Sequence, residues 1–296
     1  MKVLFCGYSQ TKHVQALLES VDIKCCETHR GPFQNINRII NLWYLLKSDM
    51  VYRVGGKDIQ NERLLRMALL LQKKVVIHWV GTDVLNICED LKHNPRSINS
   101  NCINLAGSET LVQELSTVGI ESTWIPIVPL GLHFTPLPAP KKHRVLSYIP
   151  EEKEDFYNID LLKKLARYYP DIEFIVVANY GVNDHDKVQN IRYEGKVDTK
   201  RMKELYEECS VLFRYPMHDG LSMMVIEALG TGREVVYNYK FPYCYTPASE
   251  SFQDIINCFD KVFSKKPETR YDAVTFVNDE FSMEKQITRY KRRGII

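Results

Sequence analysis

Short apolar runs alternate along the chain with longer segments whose apolar residues recur at helical spacing. The runs at 2–6, 22–28, 49–54, 75–78, 103–106 and 123–128 read as strands. The run at 75–78 is nearly continuous in apolar residues, as in a parallel sheet covered on both sides. Segments 11–19, 33–46, 61–72 and 110–118 read as helices, and another opens after residue 81, where Thr82 or Asp83 serves as a cap. The 61–72 segment carries Leu64, Leu65, Ala68, Leu69 and Leu71 around most of its circumference, which predicts a buried helix.

The stretch TPLPAPKKH at 135–143 breaks this rhythm with alternating prolines and two lysines, and reads as a stiff, extended linker. Beyond it the alternation restarts. Strands are predicted at 144–148, 173–178, 191–194, 211–213 and 234–238. Helices are predicted at 159–169, 199–209, from about 221, and at 252–264, 269–276 and 282–292. Two βαβ blocks joined by one linker predict an α/β chain of two Rossmann-like domains facing across a cleft. Their bounds are 1–134 and 144–280, with 281–296 a C-terminal helix that packs back on the first domain.

Composition narrows the class. With 296 residues and a net charge of +2, nothing demands a nucleic acid or an acidic membrane as partner. The hydrophobic share of 45% supports a full core, yet no apolar run approaches the roughly 20 residues that cross a bilayer. The opening MKVLFCGYS is too brief for a signal peptide and reads as a first strand. Eight scattered cysteines without a CxxC pair read as reduced thiols of a cytoplasmic protein, and speak against zinc.

Candidate chemistry concentrates in VLFRYPMHDGLSMMVIEALGTG, residues 211–232. A strand meets Arg214, His218, Asp219 and Gly220, then passes into a helix with Leu221, Val225, Ala228 and Leu229 at helical spacing. On that reading Asp219 stands at the helix mouth and Glu227 two turns in, about 12 Å further along the axis. Backbone amides at a helix start, with Arg214 just before them, suit a phosphate. A carboxylate farther along suits the paired hydroxyls of a ribose. Sugar, diphosphate and ribose follow one another in that order in an activated sugar nucleotide. Asp219 also fits a helix cap, whereas Glu227 among Val225, Ile226, Ala228 and Leu229 is costly to bury without a partner.

Other positions carry two readings each. Gly7 fits a tight strand-to-helix turn or a ligand-facing strand end. His78 fits a sugar hydrogen bond or a satisfied buried histidine; Asp83 fits a group that orients or deprotonates an acceptor hydroxyl, or a helix cap. His218, beside Asp219, fits support of the sugar or leaving group. Asp184-His185-Asp186 has the DxD form of a metal-binding triplet but lies in a polar loop, and no metal is expected. The cationic run 289–293 reads as a helix end that complements its dipole, so peripheral membrane contact is not supported by it.

HDGLSMMVIEALGTGREVV, residues 218–236, resembles the donor-binding signature of GT-B glycosyltransferases of the family 4 type (glycosyl transferases group 1). There an acid, seven residues and a Glu mark the site; here these are Asp219 and Glu227. AGSETLVQELSTVGI, IPIVPLG, YYPDIEFIVVA and NIRYEGKV follow in matching order, so the resemblance spans nearly the whole chain. It implies a retaining, metal-independent transfer of a sugar from a nucleotide diphosphate to an acceptor hydroxyl, with no cofactor beyond that co-substrate. By the same likeness Glu227 holds the ribose and Asp219 the donor sugar. The amides of Gly220, Leu221 and Ser222 hold the diphosphate, and Gly195, Lys196 and Val197 line the base pocket. The acceptor, a glycan, lipid-linked sugar or small molecule, would approach from the first domain. One departure stands out. The loop SYIPEEKEDFYN, where relatives usually carry an Arg and a Lys, has no arginine, which leaves Lys153 or Arg214 to meet the phosphates. A sugar-nucleotide epimerase of the same fold and a non-catalytic binding module are the rival readings.

Overall fold

The computed structural model describes residues 1–28, 34–56, 62–94, 101–182 and 186–296, and divides the chain into two units. The first holds Met1–Leu132, the short segment His218–Leu221 and Phe281–Ile296; the second holds His133–Met217 and Ser222–Glu280.

The first unit begins β1 (Lys2–Gly7), α1 (Thr11–Glu19), β2 (Lys24–Glu27), α2 (Gln34–Lys47), β3 (Met50–Val54) and α3 (Arg63–Leu70). It continues β4 (Lys74–Trp79), α4 (Thr82–His93), β5 (Cys102–Ala106), α5 (Glu109–Thr117) and β6 (Thr123–Trp124). The strands pair in parallel in the order β2-β1-β3-β4-β5-β6. Successive side chains of β1 point to opposite faces, as the strand period requires. Leu4 and Cys6 join the layer built by α2 to α5, while Val3 and Phe5 join the layer of α1.

Local chemistry trims several expected elements. The second strand starts at Lys24 because Asp22 takes a left-handed φ of 63° and the Ile23 amide folds back onto Leu18. The last strand is only two residues long, since Pro126 has no N–H to continue the ladder after the Ile125 amide meets Ala106. Residues 33 and 61, the expected starts of two helices, lie outside the described residues. The expectation of a fully buried third helix is corrected. Leu65 and Ala68 are inside, but Met67 and Leu71 are exposed and Leu70 is 81% exposed. An apolar circumference says what a helix tolerates, not what covers it.

Gly7 closes β1 with a φ of +117°, and a β-carbon there would stand 1.8 Å from the Val54 carbonyl oxygen. The neighbouring Tyr8 amide donates to that same oxygen at 2.9 Å. Close strand approach therefore accounts for the glycine, although Gly7 also lines a cavity of about 700 Å³ with Ser9, Glu27 and Tyr44. Gly7→Ala is expected to lower the stability of this unit by about 3 kcal/mol, through strain and backbone displacement. Trp43, Trp79 and Trp124 all lie in the first unit, so denaturant unfolding followed by tryptophan fluorescence reads it directly. A midpoint unchanged from wild type would refute the packing argument.

The second unit runs β7 (Arg144–Tyr148), α6 (Ile159–Tyr168), β8 (Glu173–Val177), β9 (Ile191–Gly195) and α7 (Thr199–Glu208). It continues β10 (Val211–Arg214), α8 (Met223–Gly230), β11 (Glu234–Tyr237), α9 (Phe252–Phe263) and α10 (Tyr271–Glu280). Its strands are again parallel, in the order β11-β10-β7-β8-β9. Val145, Phe174, Phe213 and Val236 from four of them meet Leu162 and Phe259 in one core layer. The proline-rich 135–143 stretch is pinned to this unit. The Leu137 amide donates to Thr231, its carbonyl accepts from the Thr269 hydroxyl at 2.8 Å, and buried Arg233 donates to the Pro138 carbonyl at 2.8 Å. The chain ends in α11 (Met283–Arg292), which belongs to the first unit. Its Tyr290 is buried there, and the Arg289 guanidinium lies 4.9 Å from the Trp124 ring centre.

Candidate functional site

In an open parallel sheet the carboxyl ends of the strands are where ligands bind. The second unit has a cavity of about 870 Å³ there. Tyr148 ends β7, Val177 and Ala178 end β8, and Lys196 and Val197 follow β9. The floor and far wall come from α7 and α8, through Met202, Lys203, Tyr206, Met224 and Glu227. Phe134 and Leu137 close it from the 133–137 segment. Three of the residues expected from sequence thus share one cavity: Glu227, Lys196 and Val197. Gly195 adjoins them, its amide donating to Asn179 and its carbonyl accepting from Ala178.

The β9–α7 turn is firmly built. Asp198 caps α7 by accepting from the Arg201 amide at 2.7 Å. The Arg201 guanidinium meets Glu194 at 2.9 Å and Glu208 at 2.7 Å, and Arg192 joins both acids. The Arg201 hydrogen bond, foremost, holds the Glu194 carboxyl below its ordinary range. This places the N-terminus of α7, with Thr199, at the cavity wall.

Glu227 is half-buried, and burial pushes its pKa up, while the Tyr206 hydroxyl donates to Oε2 at 2.8 Å and opposes the rise. Tyr206 is itself pushed well up by burial, so it stays a donor. The other carboxylate oxygen is not engaged by Tyr206. An acceptor held in place at a cavity wall, with its solvation reduced, gains most from a ligand that brings hydroxyl donors.

The turn ahead of α8 differs from the expectation. The helix starts at Met223, with Ser222 as N-cap, so Asp219 stands before the helix and not in its mouth. The 12 Å helical spacing to Glu227 therefore does not apply. His218–Leu221 belongs to the first unit, where a β-carbon on Gly220 would come within 2.2 Å of the Val80 carbonyl oxygen. Only glycine allows that approach. His218 is 8% exposed, and its Nε2 lies 2.9 Å from Oε2 of Glu114 on α5. The Glu114 hydrogen bond, against burial, raises the His218 pKa.

Known proteins supply an independent comparison. No family model and no curated relative matches the sequence. Solved structures do match. Sucrose-phosphate synthase from Thermosynechococcus elongatus superposes with a TM-score of 0.67 at 11% identity, over 99% of this chain and 98% of that one. TarM from S. aureus, in complex with fondaparinux, α-GlcNAc-glycerol and UDP, gives 0.61 at 13% identity, over 86% of this chain and 58% of that one. The pneumococcal O-GlcNAc transferase GtfA, in complex with UDP and GlcNAc, gives 0.53 at 10% identity, over 82% and 56%. The chain has the GT-B fold. It spans little more than half the length of TarM and GtfA.

Within the GT-B fold, two residues expected to act from the first unit have other work. His78 is fully buried: Nε2–H donates to the Ile125 carbonyl at 2.7 Å, and Nδ1 accepts from the Tyr52 hydroxyl at 2.7 Å. Tyr290 extends the chain to Tyr52 at 3.2 Å. Both ring nitrogens are used, and burial lowers the His78 pKa to about 4, which corrects the expectation of a sugar contact. Asp83 accepts from the amides of Val80, Gly81 and Gly56. It organises two strand-end loops and does not offer its carboxylate to an acceptor hydroxyl.

Lys153 is exposed on the loop after β7 and does not line the cavity. Arg214 is buried, with its guanidinium 4.9 Å from the Tyr157 ring centre and 5.8 Å from that of Tyr148, a cavity residue. Arg214→Ala is therefore expected to weaken nucleotide binding by about tenfold, and Lys153→Ala by less than about twofold. Isothermal titration of both variants with UDP decides the matter, and equal losses would refute it. Asp184 and His185 lie outside the described residues, and Asp186 pairs with Arg167 at 2.5 Å. Among the described residues no three His, Cys, Asp or Glu side chains gather as metal ligands. Sequence reasoning missed Tyr206, Lys203 and Glu114. Thr199, Met202, Lys203 and Tyr206 do share one face of a helix in sequence, but nothing in that pattern says which partner the face meets.

Proposed function

We propose that the chain transfers a sugar from a nucleotide-diphosphate sugar to an acceptor hydroxyl. The observation that carries this reading is the Glu227 carboxylate, held by Tyr206 at the wall of an 870 Å³ strand-end cavity. In it Glu227 takes the ribose hydroxyls, and the base lies against Gly195, Lys196 and Val197. Lys196 and Lys203 bring positive charge to the cavity. The amides of Gly220, Leu221 and Ser222 face the diphosphate, Asp219 the donor sugar, and His218 the leaving group or sugar beside it. Fixed amides and cations stabilise the charge that builds on a departing diphosphate. By resemblance the transfer is retaining and uses no metal. UDP is the first nucleotide to try, since TarM and GtfA were seen with it.

A panel of UDP, GDP, ADP and CDP tests the donor site by thermal stabilisation, because a ligand shifts stability only if it binds the folded state. At a hundredfold excess over Kd, about 2.7 kcal/mol of stabilisation is expected, a shift of several degrees in Tm. Slow hydrolysis of the matching sugar nucleotide is the expected activity without acceptor. Tight nucleotide binding with no turnover of any sugar nucleotide, even with acceptor extracts present, would reject the transferase. It would favour a binding module, the reading that the arginine-free loop and the exposed Lys153 support.

A further inference from the structure

The exposed apolar side chains of the first unit gather chiefly on α2 and α3. Ile39, Leu42, Trp43 and Leu46 recur at helical spacing on the outer side of α2, with Ile39 69% and Leu46 55% exposed. Met67 and Leu70 repeat the pattern on α3, and exposed Leu71 follows. The inner sides of both helices, through Leu45, Leu65 and Ala68, pack in one core layer on the same side of the sheet. Lys73, just past α3, donates to the Leu46 carbonyl at 3.3 Å, so the C-terminal ends of the two helices adjoin.

The charge carried by these two helices has one sign. The chain as a whole is balanced, with 39 Lys and Arg against 37 Asp and Glu. Residues 34–48 and 63–73 nevertheless contain Arg38, Lys47, Arg63, Arg66 and Lys73, and no acid, while Lys74, at the start of β4, turns its Nζ to the Gly294 carbonyl. The acids that border them are engaged elsewhere. Asp49 accepts from the Lys2 amide at 2.8 Å, and Glu62 pairs with Arg53 at 2.5 Å. Lys47 Nζ lies 3.9 Å from the centre of the half-exposed Trp43 ring, which joins a cation to an aromatic at one depth.

Apolar residues on two helices that carry cations and no acid, with a tryptophan among them, match the boundary of an anionic bilayer. The apolar side chains enter the headgroup region, and the cations meet lipid phosphates. A protein partner's interface core is instead depleted of lysine. At about 1.5 Å per residue, α2 is about 21 Å long and suits lying in the plane. Among the described residues no helix is long and apolar enough to cross a membrane. We infer that the outer faces of α2 and α3 seat the chain on an anionic lipid surface. This goes beyond the donor-site reading and does not depend on it.

Flotation of the full chain with phosphatidylcholine vesicles, with and without phosphatidylglycerol, tests the inference at low and high salt. Binding is expected only to the anionic vesicles and is expected to fall with salt, as screening requires. Trp43→Ser with Leu70→Ser, in one chain that keeps its far-ultraviolet circular dichroism, is expected to bind about tenfold more weakly or worse. Lys47→Glu with Arg63→Glu is expected to remove the preference for anionic lipid. No binding to either vesicle, or equal binding to both, would overturn the proposal. So would a dimer in solution that Leu46→Glu disperses, since a second copy would then cover the patch.

Discussion

Glu227→Ala is expected to weaken nucleotide binding on the order of a hundredfold, with sugar-nucleotide hydrolysis falling in parallel. Two hydroxyls of a ribose would lose a charged acceptor, and each such bond contributes about 1.5–3 kcal/mol. The alanine variant also takes from the buried Tyr206 hydroxyl its acceptor at 2.8 Å and leaves it the Met224 carbonyl at 3.5 Å. Loss of stability would therefore accompany loss of binding. Glu227→Gln separates the two effects. An amide oxygen still accepts from Tyr206, so stability is expected to hold, while the charge and one acceptor are gone and binding is expected to fall. Titration calorimetry with UDP and thermal unfolding of both variants are the measurements. Binding by the alanine variant equal to wild type would remove Glu227 from the site. The pH dependence follows from the same environment. Burial raises the Glu227 pKa, so binding should be lost on acidification at a higher pH than an ordinary glutamate would cause.

The second large effect lies in the first unit and concerns stability. Burial keeps His78 neutral and lowers its pKa from the ordinary histidine value of 6.5 to about 4. Between those values the unfolded chain binds a proton that the folded chain does not, so stability falls as the pH drops from 6.5 toward 4. At about 1.4 kcal/mol for each pH unit of the difference, the loss is about 3 kcal/mol and levels off below the folded value. Above pH 6.5 the contribution is fully present. Urea unfolding followed by tryptophan fluorescence across this range reads the unit that holds His78. His78→Gln is expected to be less stable at neutral pH, yet to show a shallower acid slope. Equal slopes in the two proteins would place the acid sensitivity elsewhere.

How much of this was legible beforehand differs between fold and site. The parallel αβ alternation was readable because buried strands are short apolar runs and the crossover helices carry helical periodicity. Strand ends were misjudged where one residue decided them: the left-handed Asp22 and the amide missing at Pro126. At the site, Glu227 was conspicuous because a carboxylate amid Val225, Ile226, Ala228 and Leu229 needs a partner. The partner, Tyr206, was not readable, since it comes from another helix 21 residues away in sequence. His78 and Asp83 were placed correctly at a strand end and a helix start, yet what each side chain meets turned out to be structural.

From the sequence alone came the two αβ blocks, the placement of an acid, seven residues and a glutamate around one strand-to-helix turn, and the glycines at 7 and 220. These rest on periodicity and backbone chemistry, which act between near neighbours in the chain. Only the tertiary structure decided that Tyr206 holds Glu227, that His218 meets Glu114, and that His78 is enclosed by Tyr52 and Ile125. It also decided that the apolar outer sides of α2 and α3 stay uncovered. Burial and hydrogen-bond partnership depend on which elements are brought together, and local pattern does not contain that information.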